Sequence, residues 1–519
     1  RRERSGGGPK SSRTAAGALS HWPLSALVCA LGSVPLAAPL TPCTRGHSCR
    51  ECLGSPLRVA ASAPSFLDVL SLSGRTPSSP SAARRGAVLG SSVGPSTPRS
   101  GSAPGAGRAE ADGPDFPRRI DVPGGVPVYL YTDDIDEGTR EQLMNLARSR
   151  MPVGYVSAMP DVHLGKGATI GSVFASRDYV CPNAVGVDIG CGMCAVPIEG
   201  PLLRRDLSEK QLLSIQRGLR ATIPTGFESH GRSTREMEDA VRELVSEHRP
   251  TSWLRQTLAA KHTRQLGTLG GGNHFVELVY DEADRVWMML HSGSRNIGNV
   301  TAQHYDQVAA RQCGGKPEAL AYLEIKSKEG KDYLTDMTFC QSYARQNRRF
   351  MMEAFAHVLK RETGRSTSWS KMVNIHHNYC ECESCRHRDE KTGAEIEEKL
   401  WVTRKGATSA RKGQLGIIPG SMGTGSYIVR GKGEAESWQS CSHGAGRSMS
   451  RAKAFRSVSN KQFFDHMKAH GIVWDSRYAE KVKDEAPMAY KDLNEVMHNQ
   501  RSLVEIVHHL RPLINMKGF

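Results

Sequence analysis

Long apolar runs are what this 519-residue sequence lacks. Its most apolar stretch, 24-LSALVCALGSVPLAAPL-40, is short and broken by proline, and no other run approaches the roughly 20 residues a bilayer-crossing helix needs. That argues against a membrane-spanning protein. No repeat period is visible, which sets aside solenoids and propellers. The thirteen cysteines show no disulfide-framework spacing, so mostly reduced thiols in an intracellular compartment are expected, some free to act as ligands.

Residues 1–116 lack large apolar groups as well. Runs such as 77-PSSPSAARRGAVLGSSVGPSTPRSGSAPGAG-107 bury too little to offset ordering entropy, so a disordered leader is expected, with the folded body from 117 onward. The leader has thirteen Lys/Arg against six Asp/Glu and supplies +7 of the formal +16. The body keeps the remainder, which suits a phosphate-rich partner. The apolar stretch 24–40 resembles a signal-peptide core, and the Ser- and Arg-rich, acid-poor segment after it is of transit-peptide type. An organellar address, plastid or mitochondrion, is therefore one expectation and the cytoplasm the other. Because the chain begins with Arg and its first Met is Met144, a fragment or untranslated upstream sequence is the competing reading of the leader.

The body reads as α+β, since strands and helices occur without regular βαβ alternation. Strand-like 126-VPVYLYT-132 precedes a helix over 138–150, with Leu143 and Leu146 on one face. Glycine loops then separate short β-branched runs at 168–176, 184–190 and 275–280. A long amphipathic helix is expected over Tyr333–Lys360, strands at 415–420 and 426–431, and helices to close the chain.

Five side chains stand where a short apolar strand meets a polar turn: Asp188 and Cys191 in DIGC, His274 in GGGNHF, His291 in LHSGSR and His377 in NIHHNY. Thiolate, imidazole and carboxylate together suit Zn, Mn, Fe or Co rather than Ca or Mg. Their dispersed spacing points to an open, catalytic kind of site, although each residue taken singly is as readily a structural one. The glycine-dense segments 267-GTLGGGNHF-275 and 419-PGSMGTGS-426 can bring backbone N–H groups to an anion, without being a GxxxxGK[ST] loop. In 440-SCSHGAGRSMSRAKA-454, His443 sits among small residues with Arg447 and Arg451 further on. If a helix starts near Gly446, the two arginines share a face and form a phosphate platform beside an accessible imidazole. A solvated basic helix start is the plainer alternative.

The strings 159-MPDVHLGKGATIGSV-173, 185-VGVDIGCGM-193, 266-LGTLGGGNHFVE-277, 290-LHSGSRNIGN-299, 402-VTRKGATSAR-411, 416-GIIPGSMG-423, 441-CSHGAGRSMSR-451 and 486-APMAYKD-492 resemble, in order, the RtcB family of RNA-splicing ligases. The resemblance runs from about Val126 to Gly518. It implies a single large catalytic domain with a central metal and nucleotide cleft. Its activity would join RNA 2′,3′-cyclic phosphate or 3′-phosphate ends to 5′-hydroxyl ends, with GTP and two Mn²⁺ ions, through a guanylylated histidine, in tRNA splicing or RNA repair.

Carried onto this chain, the resemblance makes His443 the nucleophile. Asp188, Cys191, His274, His291 and His377 become the ligands of two manganese ions, with Cys191 as bridge. Nucleotide contacts are implied for Asn273, His274, Phe275, Val276 and Glu277, for His377 and Asn378, and for Pro419, Gly420, Ser421, Met422 and Ser426. The same holds for His443, Gly444, Ala445 and Gly446, and for Lys517. Arg295, Arg447 and Arg451 are implied for RNA phosphates. An archease-type activator is a possible partner. Asp161 and His163 look too polar for a turn and receive no role.

Two departures matter. The Lys-x-Asp-Gly motif of ordinary nucleotidyltransferase ligases is absent, which agrees with a histidine nucleophile. After His377, the segment 380-CECESCRHRDEKTGAEIEEK-399 is richer in Cys and charge than the family hairpin. Cys380, Cys382, Cys385 and His387 have a spacing that permits zinc, with a solvated hairpin favoured over it. Cys43, Cys49 and Cys52 form a weaker cluster in the leader. A metal-dependent phosphoesterase and a non-catalytic RNA binder are the competing functions.

Overall fold

The computed structural model describes residues 115–519 apart from 201, 316–319 and 390–391. The expected leader, except Asp115 and Phe116, lies outside the described residues, and with it the cluster Cys43, Cys49 and Cys52.

Two sheets carry the architecture. The first runs Arg118–Ile120, Val128–Leu130, Val153–His163, Ile170–Ser176, Glu395–Lys405 and Asn378–Arg388, with one parallel pairing, between Val128–Leu130 and Val153–His163. The second runs Val373–His376, Gly192–Pro197, Val286–Ser292, Phe275–Tyr280, Val504–Lys517, Ser426–Gly431 and Leu415–Pro419, and Val473–Trp474 adds in parallel to Val504–Lys517. The chain passes between the sheets at His377, the single residue separating strand Val373–His376 from strand Asn378–Arg388.

Local chemistry sets the helices. Helix Glu137–Arg148 starts where the Asp136 side chain accepts the Thr139 N–H at 2.9 Å, and it buries Leu143 and Leu146. The long helix is Lys328–Thr363, capped by Ser327 and stopped at Gly364 in the left-handed region. Its Met351, Met352, Phe355, Val358 and Leu359 pack on Val276, Leu278, Met288 and Leu290 of the second sheet. On the other face of that sheet Phe275, Val279, Trp287 and Met289 meet Ile417 and Ile428. A sheet buried on both faces explains why its strands read as nearly continuous apolar runs.

Three expectations are corrected. Segment 184–190 is not a strand: a short helix, Pro182–Val185, ends at Gly186 with φ +99°, and a loop follows. The chain closes on the strand Val504–Lys517 rather than on helices, its pattern hidden by the polar run 508-HHLRP-512. The helix placed near Gly446 begins at Arg451, because Ser450 is its cap, so Arg447 stands outside it.

Gly192 pairs with His376 on one side and Ser292 on the other, and a Cβ there would run into the Ile375 carbonyl oxygen. Gly192→Ala is therefore expected to lower stability by about 1–3 kcal/mol, read as a lower urea midpoint. An unchanged midpoint would mean that the strand pairing has slack.

Candidate active site

Antiparallel pairing brings the dispersed candidate ligands to one edge. Cys191 precedes strand Gly192–Pro197, His274 precedes Phe275–Tyr280, His291 lies near the end of Val286–Ser292, and His377 follows Val373–His376. The register pairs Met193 with His291, Phe275 with His291, and Gly192 with His376, so all four ligand positions fall on the same rim of four adjacent strands. The backbone ties them further, since the His377 N–H donates to the Cys191 carbonyl at 2.8 Å.

The donor atoms converge. Cys191 Sγ lies 3.3 Å from His274 Nε2 and 3.2 Å from His291 Nε2, and the three residues offer donor atoms within 4.8 Å of one another. His291 Nε2 is 3.2 Å from His377 Nε2, and Asp188 Oδ2 is 3.1 Å from His274 Nε2. His274 Nδ1 donates to the Leu269 carbonyl at 2.9 Å and His291 Nδ1 to the Asn273 carbonyl at 3.2 Å, which leaves both Nε2 atoms as lone pairs. Burial holds His291 and His377 well below the usual imidazole range, so they are neutral, as ligands must be. Burial, helped by Asp188, pushes the Cys191 thiol well up. A bound cation reverses that and releases its proton. Lone pairs facing lone pairs at this spacing fit a metal ion.

Two neighbours on the long helix hold the rim together. Arg348, fully buried, donates to the carbonyls of Gly190 at 2.8 Å and Ser292 at 2.9 Å and to Asn374 Oδ1 at 2.8 Å. Asn347 accepts the Thr268 N–H at 3.1 Å and donates to the Thr268 and Gly293 carbonyls. Every loop that carries a ligand is thus fastened to one turn of helix.

His443 follows strand Ser440–Ser442, and its ring lies 4.9 Å from that of His377. Its Nδ1 is 2.7 Å from Asp161 Oδ2, and the same oxygen accepts the His443 and Gly444 N–H groups. Asp161 is completely buried in the strand Val153–His163. The pairing fixes the tautomer, with the proton on Nδ1 and the lone pair on Nε2. Sequence reasoning left Asp161 without a role, although a carboxylate inside an otherwise apolar strand was a legible signal.

A cavity of about 660 Å³ opens beside His443. Its walls include Asn273, Phe275, Glu277, Pro419, Gly420, Ser421, Met422, Gly444, Ala445, Gly446 and Lys517, together with Arg447 and Arg451. Val276 points into the core under the long helix, and Ser426 is buried in its strand opposite Pro419. Asn378 locks loops instead of lining the wall, donating to the Asp188 carbonyl and accepting the Gly406 N–H. Glu485, unmarked in the sequence, gathers the cations: Lys517 Nζ lies 2.8 Å away, Arg451 Nη1 2.5 Å and Arg447 Nη1 3.5 Å, and the Tyr490 hydroxyl donates at 2.7 Å. Burial opposes its charge, but Lys517 and Arg451 hold its carboxyl well below the usual range. Arg295 is turned inward, donating to Thr268 Oγ1 at 2.9 Å and the Gly226 carbonyl at 2.6 Å.

The hairpin thiols do not gather. Cys380 packs in one core cluster and Cys385 in another, Cys382 is exposed, and His387 Nε2 lies 2.8 Å from Glu398. Among the described residues no helix is long and apolar enough to cross a membrane.

Comparison with known proteins identifies the family. Residues 142–518 match the family described as tRNA-splicing ligase RtcB. The chain belongs to the RtcB family. The RNA-splicing ligase RtcB of Escherichia coli (strain K12) is 40% identical over 418 residues, covering 76% of this chain and 97% of that protein. The tRNA-splicing ligase RtcB of Archaeoglobus fulgidus is 31% identical, covering 76% and 95%. The RNA-splicing ligase RtcB homolog 1 of Entamoeba dispar is 30% identical, covering 70% and 78%. As an RtcB protein the chain is an enzyme, a ligase acting on RNA, with a Cys/His cluster able to hold a metal.

In this RtcB chain, Arg348→Met would leave three buried acceptors without their donor. The expected loss is about 3 kcal/mol or more, against less than about 0.5 for Arg349→Met, whose exposed guanidinium meets Glu353, both read by urea unfolding. Burial also pushes the Glu277 carboxyl up to about 8. Because the folded state then binds the extra proton, stability should fall as pH rises from about 4.5 to about 8. Glu277→Gln should flatten that slope, and an unchanged slope would place the titration elsewhere.

Proposed function

We propose that this RNA ligase works through GMP carried on His443, joining RNA 3′-phosphate or 2′,3′-cyclic phosphate ends to 5′-hydroxyl ends. The observation that carries the reading is the Asp161–His443 pair at 2.7 Å, standing beside the metal-type cluster on the wall of the cavity. A phosphoesterase needs the cluster alone. A carboxylate-oriented imidazole at the same wall is what covalent nucleotidyl transfer adds.

In the first step His443 Nε2 attacks the α-phosphorus of GTP, a P–N bond forms and pyrophosphate leaves. Asp161 keeps the Nδ1 proton and stabilises the cationic ring that results. A 2′,3′-cyclic phosphate is first opened by water, which bonds to phosphorus as the P–O2′ bond breaks and the 2′-oxygen takes a proton. An oxygen of the RNA 3′-phosphate then takes the GMP from His443, and the 5′-hydroxyl of the second strand attacks the activated phosphate. GMP leaves as the phosphodiester forms, and the hydroxyl proton is released. Lys517, held by Glu485, and the backbone of Ala445 and Gly446 stand along the wall where the phosphates would lie.

The donor set fits two ions: Asp188, Cys191 and His274 would hold one, and Cys191, His291 and His377 the other. Two Mn²⁺ ions bound there would supply Lewis-acid polarisation of phosphoryl oxygens, and the thiolate favours Mn²⁺ over Mg²⁺.

Incubation with α-labelled GTP and Mn²⁺ tests the reading. Wild type is expected to carry acid-labile label, and His443→Ala to carry none while still binding Mn²⁺. Asp161→Asn should label about a hundredfold more slowly or worse. Cys191→Ala should lose Mn²⁺ and ligation together. A His443→Ala protein that still ligates would defeat the proposal. Repeating the labelling with an archease-type protein shows whether an activator is required.

A further inference from the structure

Outside the cavity wall, on a turn fastened to the loop that leads to His274, stands an aromatic group that the chemistry above does not use. Phe227 is 104% exposed, a whole ring in water. Its turn is nonetheless fixed. The Gly226 N–H donates to the Gly270 carbonyl at 2.7 Å, Arg295 donates to the Gly226 carbonyl at 2.6 Å, and the Glu228 N–H donates to the Thr225 carbonyl at 3.1 Å. Gly226 has φ +61°, and a Cβ there would strike the Phe519 carbonyl oxygen. The turn is therefore built around a glycine that only this close approach requires.

The neighbours of that turn are aromatic and basic. The Phe519 ring lies 4.1 Å from that of Tyr478. The Arg220 guanidinium lies 4.8 Å from the Phe519 ring, and Lys481 Nζ lies 5.1 Å from Phe519 and 5.3 Å from Tyr478. Arg477 is committed to Asp475 by two hydrogen bonds, whereas Arg220 Nε is buried and makes no hydrogen bond. On its other side the turn joins Gly270, in the loop that leads to His274, and Arg295. Aromatic faces interleaved with cations are what unpaired nucleotides bind, bases on rings and phosphates on cations.

We propose that Phe227, with the Tyr478–Phe519 pair beside Gly226, is a stacking platform for the unpaired bases of an RNA strand entering the cleft. The inference rests on the reading that RNA ends meet beside His443. It assigns Phe227 a positioning role, holding the strand so that its end lies at the metal cluster.

The test is anisotropy of labelled single-stranded RNAs of about ten nucleotides, one ending in 3′-phosphate and one beginning with 5′-hydroxyl, with the full chain and no GTP. Phe227→Ala should weaken at least one of them about tenfold, and Phe227→Trp should restore it. An oligonucleotide with abasic terminal positions should bind wild type and Phe227→Ala alike. Equal affinity of Phe227→Ala and wild type for both RNAs overturns the platform. Restoration by Phe227→Leu as complete as by Phe227→Trp also overturns it, because RNA affinity would then depend on an apolar side chain and not on a ring that stacks. Phe227 packs against nothing, so misfolding does not cloud the comparison. If His443 takes no label while the Phe227 dependence holds, the guanylyl reading falls and the platform stands; the reverse pattern removes only the platform.

Discussion

The site depends on one buried cation with no carboxylate beside it. Arg348 is surrounded by carbonyl oxygens, an amide and the His376 ring, whose Nδ1 lies 3.1 Å from its Nη2, and its other hydrogen bonds reach the Gly190 loop, the end of strand Val286–Ser292 and the strand that leads to His377. Burying a guanidinium this way is costly unless every contact is made, so the three segments close together or not at all. Burial lowers Arg348 to about 10, still charged at neutral pH. That uncancelled charge near Cys191 favours the thiolate, so one residue both positions the ligand loops and biases the ligand's chemistry.

The cavity wall solves a different electrostatic problem. Lys517, Arg451 and Arg447 would repel one another in a dry pocket, and Glu485 holds them together by accepting from all three. Their sum is still positive. Arg447 and Lys517 are deeply enclosed, while Arg451 is about half exposed, with 43% of its side chain accessible. A phosphate entering this cavity would therefore meet a cation at the mouth and fixed cations further in, with no reorganisation needed inside.

Much of this arrangement was legible in the residues, for identifiable reasons. The candidate ligands Cys191, His274, His291 and His377 stand at strand ends, and such junctions leave a mark in a single sequence; Asp188 stands instead in the loop after the short helix Pro182–Val185. Their convergence was not legible, because it is made by strand register between segments far apart in the chain. Arg348 and Asn347 were hidden for another reason: a polar pair on a long amphipathic helix reads as its solvent face until tertiary packing buries it. The closing strand escaped because its inward residues alternate with His508, His509 and Arg511, which pattern reading takes for loop or helix. Arg447 and Arg451 do converge, although not through a shared helix face: Glu485 supplies the convergence, and it comes from a short turn of helix that carries no motif.

A ligand set this dispersed makes the site a property of the whole sheet. A tight C-x₂-C pair can form in an otherwise unfolded chain, but here no two of the four strand-end ligands approach until their strands are paired. His377 arrives only when the chain has crossed from one sheet to the other. Lys517 arrives only when strand Val504–Lys517 has paired with Phe275–Tyr280, opposite Phe275. A metal bound at the rim therefore stabilises both sheets at once by mass action. The strands that carry or adjoin His377, Cys191, His291, His274 and Lys517 are five consecutive neighbours in the second sheet. Long-range pairing is slow to form. What it provides is a rim whose donor atoms are aimed before any ligand arrives, and a mixed thiolate and imidazole set needs that rigidity, because softer loops would let each side chain find a hydrogen bond of its own.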